Sequence, residues 1–122
     1  MFTDSRERRR YSRLDFHTPV QYRKIERNIW QFKEFRGSLM KDISESGLRM
    51  TTYEFLPLNL KLVMKMPLMI GSKAVQGVCR VVWTRKAGFS EKYDAGVEFV
   101  NLNQKDDTRI AKFILHKSTE KV

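Results

Sequence analysis

The chain has a single cysteine, Cys79, so no internal disulfide can staple it and a reducing compartment is the simplest setting. Only six glycines and three prolines interrupt its 122 residues, which excludes collagen-like and Gly/Pro-rich disordered classes. No apolar run approaches the ~20 residues a membrane-spanning helix needs, and the N-terminus lacks the apolar stretch of a secretion signal. A cytoplasmic domain with no insertion into a membrane is expected. The two histidines, His17 and His116, have no companion carboxylates or cysteines at ligand spacing, so neither a metal site nor a cofactor is expected. There is no Ser/His/Asp grouping, no phosphate loop and no zinc pattern, and no enzyme is expected. Carboxylates are also scarce. Fourteen Asp and Glu face 24 Lys and Arg, and the net charge of +10 favours anionic partners.

What is present is mostly period-2 patterning. Residues 1–13 are polar and arginine-rich, which predicts a flexible basic N-terminal arm. From about His17 the text becomes strand-like, with Val20 and Tyr22 alternating against Gln21 and Arg23. Residues 26–35, with Trp30 and Phe32, read as a hairpin loop, and 37–43 and 47–52 as strands broken at a turn. Leu58, Leu60, Leu62, Met64 and Met66 alternate with polar residues and Val63, predicting one strand with a single buried face. Val75 to Thr84 is β-branched, with Gly77 marking a bend or bulge. In the next strand Tyr93, Ala95, Val97 and Phe99 share a face. The period then changes. Asn103 caps a helix, Asp106 and Asp107 sit in its first turn, and Ile110, Phe113 and Ile114 form its apolar stripe. The expected fold is mainly β: a small antiparallel barrel of about six strands with a C-terminal α-helix. The arm spans residues 1–15 and the barrel with its helix 16–122.

Two short patterns carry chemistry. The first is Arg9-Arg10-Tyr11-Ser12-Arg13, an R-x-x-x-R with Arg8 as an extra leading arginine. The second is Asp42-Ile43-Ser44-Glu45-Ser46-Gly47, a D-x-S-x-x-G. An arginine fork matches a phosphate or a guanine edge with two hydrogen bonds. Asp42 offers a carboxylate to base donors, Ser44 both donates and accepts, and Gly47 is free to take positive φ in a tight turn. Seen alone, D-x-S-x-x-G is usually a turn whose Asp and Ser bond their own backbone, and an arginine-rich tail is usually solvated.

Together, in this order and with the strands that follow, the two patterns resemble the PilZ domain family, known as bacterial receptors for the second messenger cyclic di-GMP. Gly47-Leu48-Arg49-Met50, Arg80-Val81-Val82-Trp83 and Gly96-Val97-Glu98-Phe99 look like the family's later strands, and the resemblance runs from Arg8 to about Leu115. It implies that Arg8, Arg9 and Arg13 clasp phosphates and guanines while Asp42, Ser44 and Gly47 hold a guanine at the barrel surface. It also implies a ligand-induced switch or adaptor acting on a downstream protein partner. Two alternatives stand beside it. One is a basic barrel binding single-stranded nucleic acid by stacking on Trp30, Phe32 and Trp83, although specific nucleic-acid binding is not expected. The other is a protein adaptor with a silent nucleotide site. Trp83 is read first as core or rim packing, and Cys79 as a small buried hydrophobe.

Overall fold

The computed structural model describes residues 14–25, 34–68, 71 and 73–120. Arg8, Arg9 and Arg13, and also Trp30, Phe32 and Met69, lie outside the described residues. Six strands follow one another as β1 (Leu14–Ile25), β2 (Arg36–Ile43), β3 (Gly47–Thr52), β4 (Lys61–Met66), β5 (Val75–Lys86) and β6 (Tyr93–Asn101). All pair antiparallel and close in the order β1-β2-β3-β6-β5-β4. A helix, α1 (Gln104–Glu120), follows β6.

Alternation decides which side chains meet inside. Met40, Leu48, Met50, Leu62, Met64, Met66, Val75, Cys79, Val81, Ala95 and Val97 are all buried, drawn from five different strands. Methionine's unbranched thioether suits the irregular interior of so small a barrel. Burying each such side chain contributes about 1.5–3 kcal/mol. Cys79 is buried as read, and burial pushes its thiol up to about 12, which keeps it protonated. Pro19 sits in the part of β1 that pairs with β2, ahead of the β4 pairing that begins at Gln21, so its missing N–H breaks no ladder on that second side. The helix begins as expected. The Asn103 side chain accepts from the Asp106 amide at 2.8 Å, and Ile110, Phe113 and Ile114 are buried.

Two expectations are corrected. Leu58 does not continue the β4 stripe: it is 58% exposed. Asn59 takes φ 69°, which breaks the extended chain before β4 starts at Lys61. Gly47 is required for a different reason than positive φ, which is found at Gly71, Gly88 and Asn59 instead. A Cβ at Gly47 would strike the Val97 carbonyl oxygen and crowd the Glu98 backbone, so β3 can lie against β6 here only without a side chain. Gly96 is similar: a Cβ there would collide with the Trp83 indole.

The end of the barrel where β3 leaves and β6 enters is tied by buried polar groups. Tyr22, 2% exposed, donates its hydroxyl to Glu54 at 2.5 Å, and Lys24 Nζ reaches the other Glu54 oxygen at 2.7 Å. Burial first, then the Glu54 hydrogen bond and charge, push the Tyr22 hydroxyl well above its ordinary range. Burial alone would raise Glu54, but hydrogen bonds from Lys24 and Tyr22 and the Lys24 and Arg36 charges outweigh it, and its pKa falls. Asp94 follows the same logic. Burial opposes ionisation, while Thr51 and Lys41 hydrogen bonds and the Lys41 and Arg85 charges lower its pKa.

Both carboxylates therefore hold a proton less tightly folded than unfolded. As pH falls through about 4, the unfolded chain takes up protons first and stability is lost, while above about 5 their contribution is fully present. Urea midpoints measured from pH 6 to pH 3 are expected to fall, with a shallower fall for Glu54→Gln. Gly47→Ala is expected to lower stability by about 1–3 kcal/mol or more in the same assay, because the obstruction is backbone and cannot rotate away.

Candidate functional site

The β2–β3 hairpin builds the D-x-S-x-x-G turn from its own backbone. Ser44 N–H donates to the Gly47 carbonyl at 2.8 Å, and the Ser44 hydroxyl lies 3.3 Å from the same oxygen and 3.1 Å from Ser46 Oγ. The Ser46 amide donates back to Ser44 Oγ at 3.3 Å, and the Phe99 amide to the Ser46 carbonyl at 2.9 Å, which fastens the turn onto β6. Ser44 is 1% exposed, so its hydroxyl holds the turn together. The local reading of this motif, a turn bonding its own backbone, is thus present in full.

Asp42 belongs to the outer surface of the sheet. A register shift between Met40 and Asp42 sets Asp42 opposite Arg49 on β3. Arg49 donates to Asp42 Oδ2 from Nε at 2.7 Å and from a terminal nitrogen at 2.5 Å. The Asp42 side chain is almost fully buried, whereas that of Arg49 is 40% exposed. The pair holds the carboxylate in one orientation and leaves part of the guanidinium open to a ligand.

From Asp42 a row runs across the outside of four strands. Arg49 on β3 is opposite Gly96 on β6, and Gly96 is opposite Trp83 on β5. Three strand spacings make this row about 14 Å long, comparable to a dinucleotide. The half-buried Trp83 ring lies over Gly96, and the Arg85 guanidinium stands 5.5 Å from its centroid. Beside this row, Thr51 and Lys41 bond Asp94 at 2.9 and 3.1 Å, and Arg85 Nε is 3.8 Å from it. On the other side Arg80 pairs with Glu98. The face therefore presents Arg49, Arg85 and Lys41 above the buried Asp42 and Asp94, with Arg80 paired to the equally exposed Glu98. Such a surface can take an anion at its guanidiniums and a planar ring against Trp83.

Of the six site residues read from the sequence, Asp42, Ser44 and Gly47 come together at one end of this face. Arg8, Arg9 and Arg13 lie outside the described residues. What is described is where the strand after them begins: Leu14 pairs with Ile43 and Asp15 with Asp42, so β1 starts beside the turn. The sequence reading missed Arg49 as the partner of Asp42. Counting outward from a four-residue turn (43 opposite 48, 42 opposite 49) would have found it. It also missed the Trp83–Gly96 stack, which the register shift between Val81 and Trp83 conceals.

The chain is similar to several solved structures. The motility inhibitor MotI/DgrA of Bacillus subtilis shares 19% identity at TM-score 0.71, over 94% of this chain and 53% of its own. The PilZ domain of YcgR from Escherichia coli, with c-di-GMP, shares 16% identity at TM-score 0.68, over 93% of each chain. The K. pneumonia MrkH–c-di-GMP complex shares 19% identity at TM-score 0.66, over 91% of this chain and 52% of its own. The chain spans about half the length of the first and third of these. No curated protein matches it in sequence. The sequence profile of the PilZ domain matches residues 7–116, all six strands of the barrel and most of the helix. With that match and the closed six-strand barrel, the chain belongs to the PilZ domain family.

Proposed function

We propose that this chain is a cyclic di-GMP receptor that acts by fastening its N-terminal segment onto the barrel. The observation that carries this reading is the pairing of Leu14 with Ile43. One residue along a chain spans 3.8 Å, so Arg13 is tethered within reach of Asp42 and the Ser44 turn. Arg8 and Arg9 precede Arg13 by five and four residues. The relatives whose structures contain c-di-GMP lend support, as does the cationic outer face with Trp83 beside it.

Each group then has work suited to its chemistry. Arg8, Arg9 and Arg13 grip phosphates and guanine acceptor edges with paired hydrogen bonds. Asp42, held by Arg49, accepts from the guanine ring N–H and amino group, which arginine cannot satisfy. Ser44 and Gly47 keep the turn in the shape that sets Asp42 opposite Arg49. The ligand bridges two parts of the chain, and the changed surface, rather than a reaction, is the output to a downstream protein. Ordering the segment costs conformational entropy, which charge-assisted hydrogen bonds of about 1.5–3 kcal/mol each must exceed.

Calorimetric titration of cyclic di-GMP tests this directly. Saturable binding is expected, weakened about 10-fold or more by Arg9→Ala or Arg13→Ala, one decade being ~1.4 kcal/mol. Unchanged affinity in both variants would end the clasp model. Asp42→Ala is expected to cost guanine selectivity more than anion affinity, so its loss should be larger for cyclic di-GMP than for cyclic di-AMP. Hydrogen exchange of residues 1–13 should slow when ligand is added.

A further inference from the structure

The end of the barrel remote from the Ser44 turn is closed by residues 53–60, which leave β3 and run to β4. Their side chains alternate. Glu54 turns in to Tyr22 and Lys24, and Leu56 is fully buried as the plug. Tyr53, Phe55 and Leu58 face outward, 74%, 55% and 58% exposed. The β5–β6 turn stands beside them and carries Phe89, which is fully exposed. That turn is firmly built. Ala87 N–H bonds the Lys92 carbonyl at 2.9 Å, Ser90 Oγ bonds the Ala87 carbonyl at 2.7 Å, and Gly88 supplies the φ of 60°. Lys92 Nζ is 5.3 Å from the Tyr53 ring and Phe55 meets Tyr93 edge-on at 5.8 Å, so turn and cap form one surface. Scattered exposed hydrophobics are ordinary, but aromatics gathered at one end and held out on an ordered turn point to an occupant.

The charge around them narrows the occupant. Glu54 is matched by Lys24 and Arg36, and Asp94 by Lys41 and Arg85. Among the described residues Lys86 makes no ion pair, and Lys92 rests on a ring rather than a carboxylate. The surface is thus apolar at its tip, and at its rim two lysines outnumber the one carboxylate of the turn, the exposed Glu91. Nucleic acid binds by stacking successive bases on several bare rings, yet the Tyr53 face holds an ammonium and Phe55 is engaged by Tyr93, so Phe89 alone of these rings is bare. An anionic lipid surface needs neither. Rings settle at the boundary of headgroups and acyl chains, and lysines meet the phosphates.

We propose that this end of the barrel docks peripherally on an anionic lipid bilayer, with Phe89 as its anchor and Lys86 and Lys92 as its phosphate contacts. No described helix is long and apolar enough to cross a membrane, so the contact is at the surface. Docking this way leaves the Ser44 turn and the partly exposed Arg49 guanidinium at the end facing away from the bilayer. The inference goes beyond nucleotide binding and does not depend on it.

The test is co-sedimentation of the full chain with vesicles of phosphatidylglycerol and phosphatidylcholine, against phosphatidylcholine alone. Partitioning to the anionic vesicles is expected, reduced about fivefold or more by Phe89→Ala and more than 10-fold by Lys86→Glu with Lys92→Glu. Cyclic di-GMP titration of the same variants is read separately, so failure of one reading is distinguishable from failure of the other. Absence of binding to anionic vesicles would overturn the proposal. So would equal partitioning of Phe89→Ala, which would reduce the effect to diffuse charge. Polyglutamate or oligonucleotide binding that is lost in Phe89→Ala while vesicle binding is unchanged would assign the patch to a macromolecular partner instead.

Discussion

The seam between β1 and β4, five residue pairs from Gln21 with Lys65 to Ile25 with Lys61, is the constraint on which the rest depends. Without it the sheet would be an open ribbon with two unpaired edges and its methionines half in water. With it the strands enclose Tyr22, Met40, Met50, Leu62 and Met64 on every side. The same closure positions the end of the molecule that carries the Ser44 turn. β1 can pair with β4 at its far end only by running the length of β2, which sets Leu14 beside Ile43. The start of β1 beside the Ser44 turn is therefore a by-product of barrel closure rather than a separate arrangement.

Closure also sorts the charges. The interior of so small a barrel is filled by side chains, so polar groups are driven to the outer face or the two ends. On the outer face each buried carboxylate is matched before any ligand arrives: Asp42 by Arg49, Asp94 by Thr51, Lys41 and Arg85. Leaving any of these carboxylates buried without its cation would cost more than the pair contributes. The result is a surface whose local charges balance in pairs while the excess of cations across the sequence remains available to anions.

Much of this was legible in the sequence because it is local. Alternation marked the buried faces of β1, β4 and β6, and the Asn103 cap with its Ile110, Phe113 and Ile114 stripe marked the helix. The turn at Ser44 was legible because the hydroxyl and carbonyl that build it lie within three residues. What escaped was non-local. Gly47 was read as a conformational device, whereas its lack of a side chain answers to Val97, fifty residues away. Leu58 kept the rhythm of its neighbours while Asn59 had already turned the chain. Trp83 and Gly96 meet only because an extra residue in β5 changes which side of the sheet Trp83 faces.

The strand order has a consequence during synthesis. β3 lies between β2 and β6, so after its hairpin forms it waits for some forty further residues before its second neighbour exists. β1 likewise waits for β4. A nascent chain halted near residue 90 would carry β3 with one edge unpaired, its Leu48 and Met50 facing a cavity that nothing yet closes. Non-local pairing of this kind slows folding and exposes strand edges while it lasts. Synthesis of residues 93–120, which supply β6 and the helix, is thus the step that removes this exposed edge.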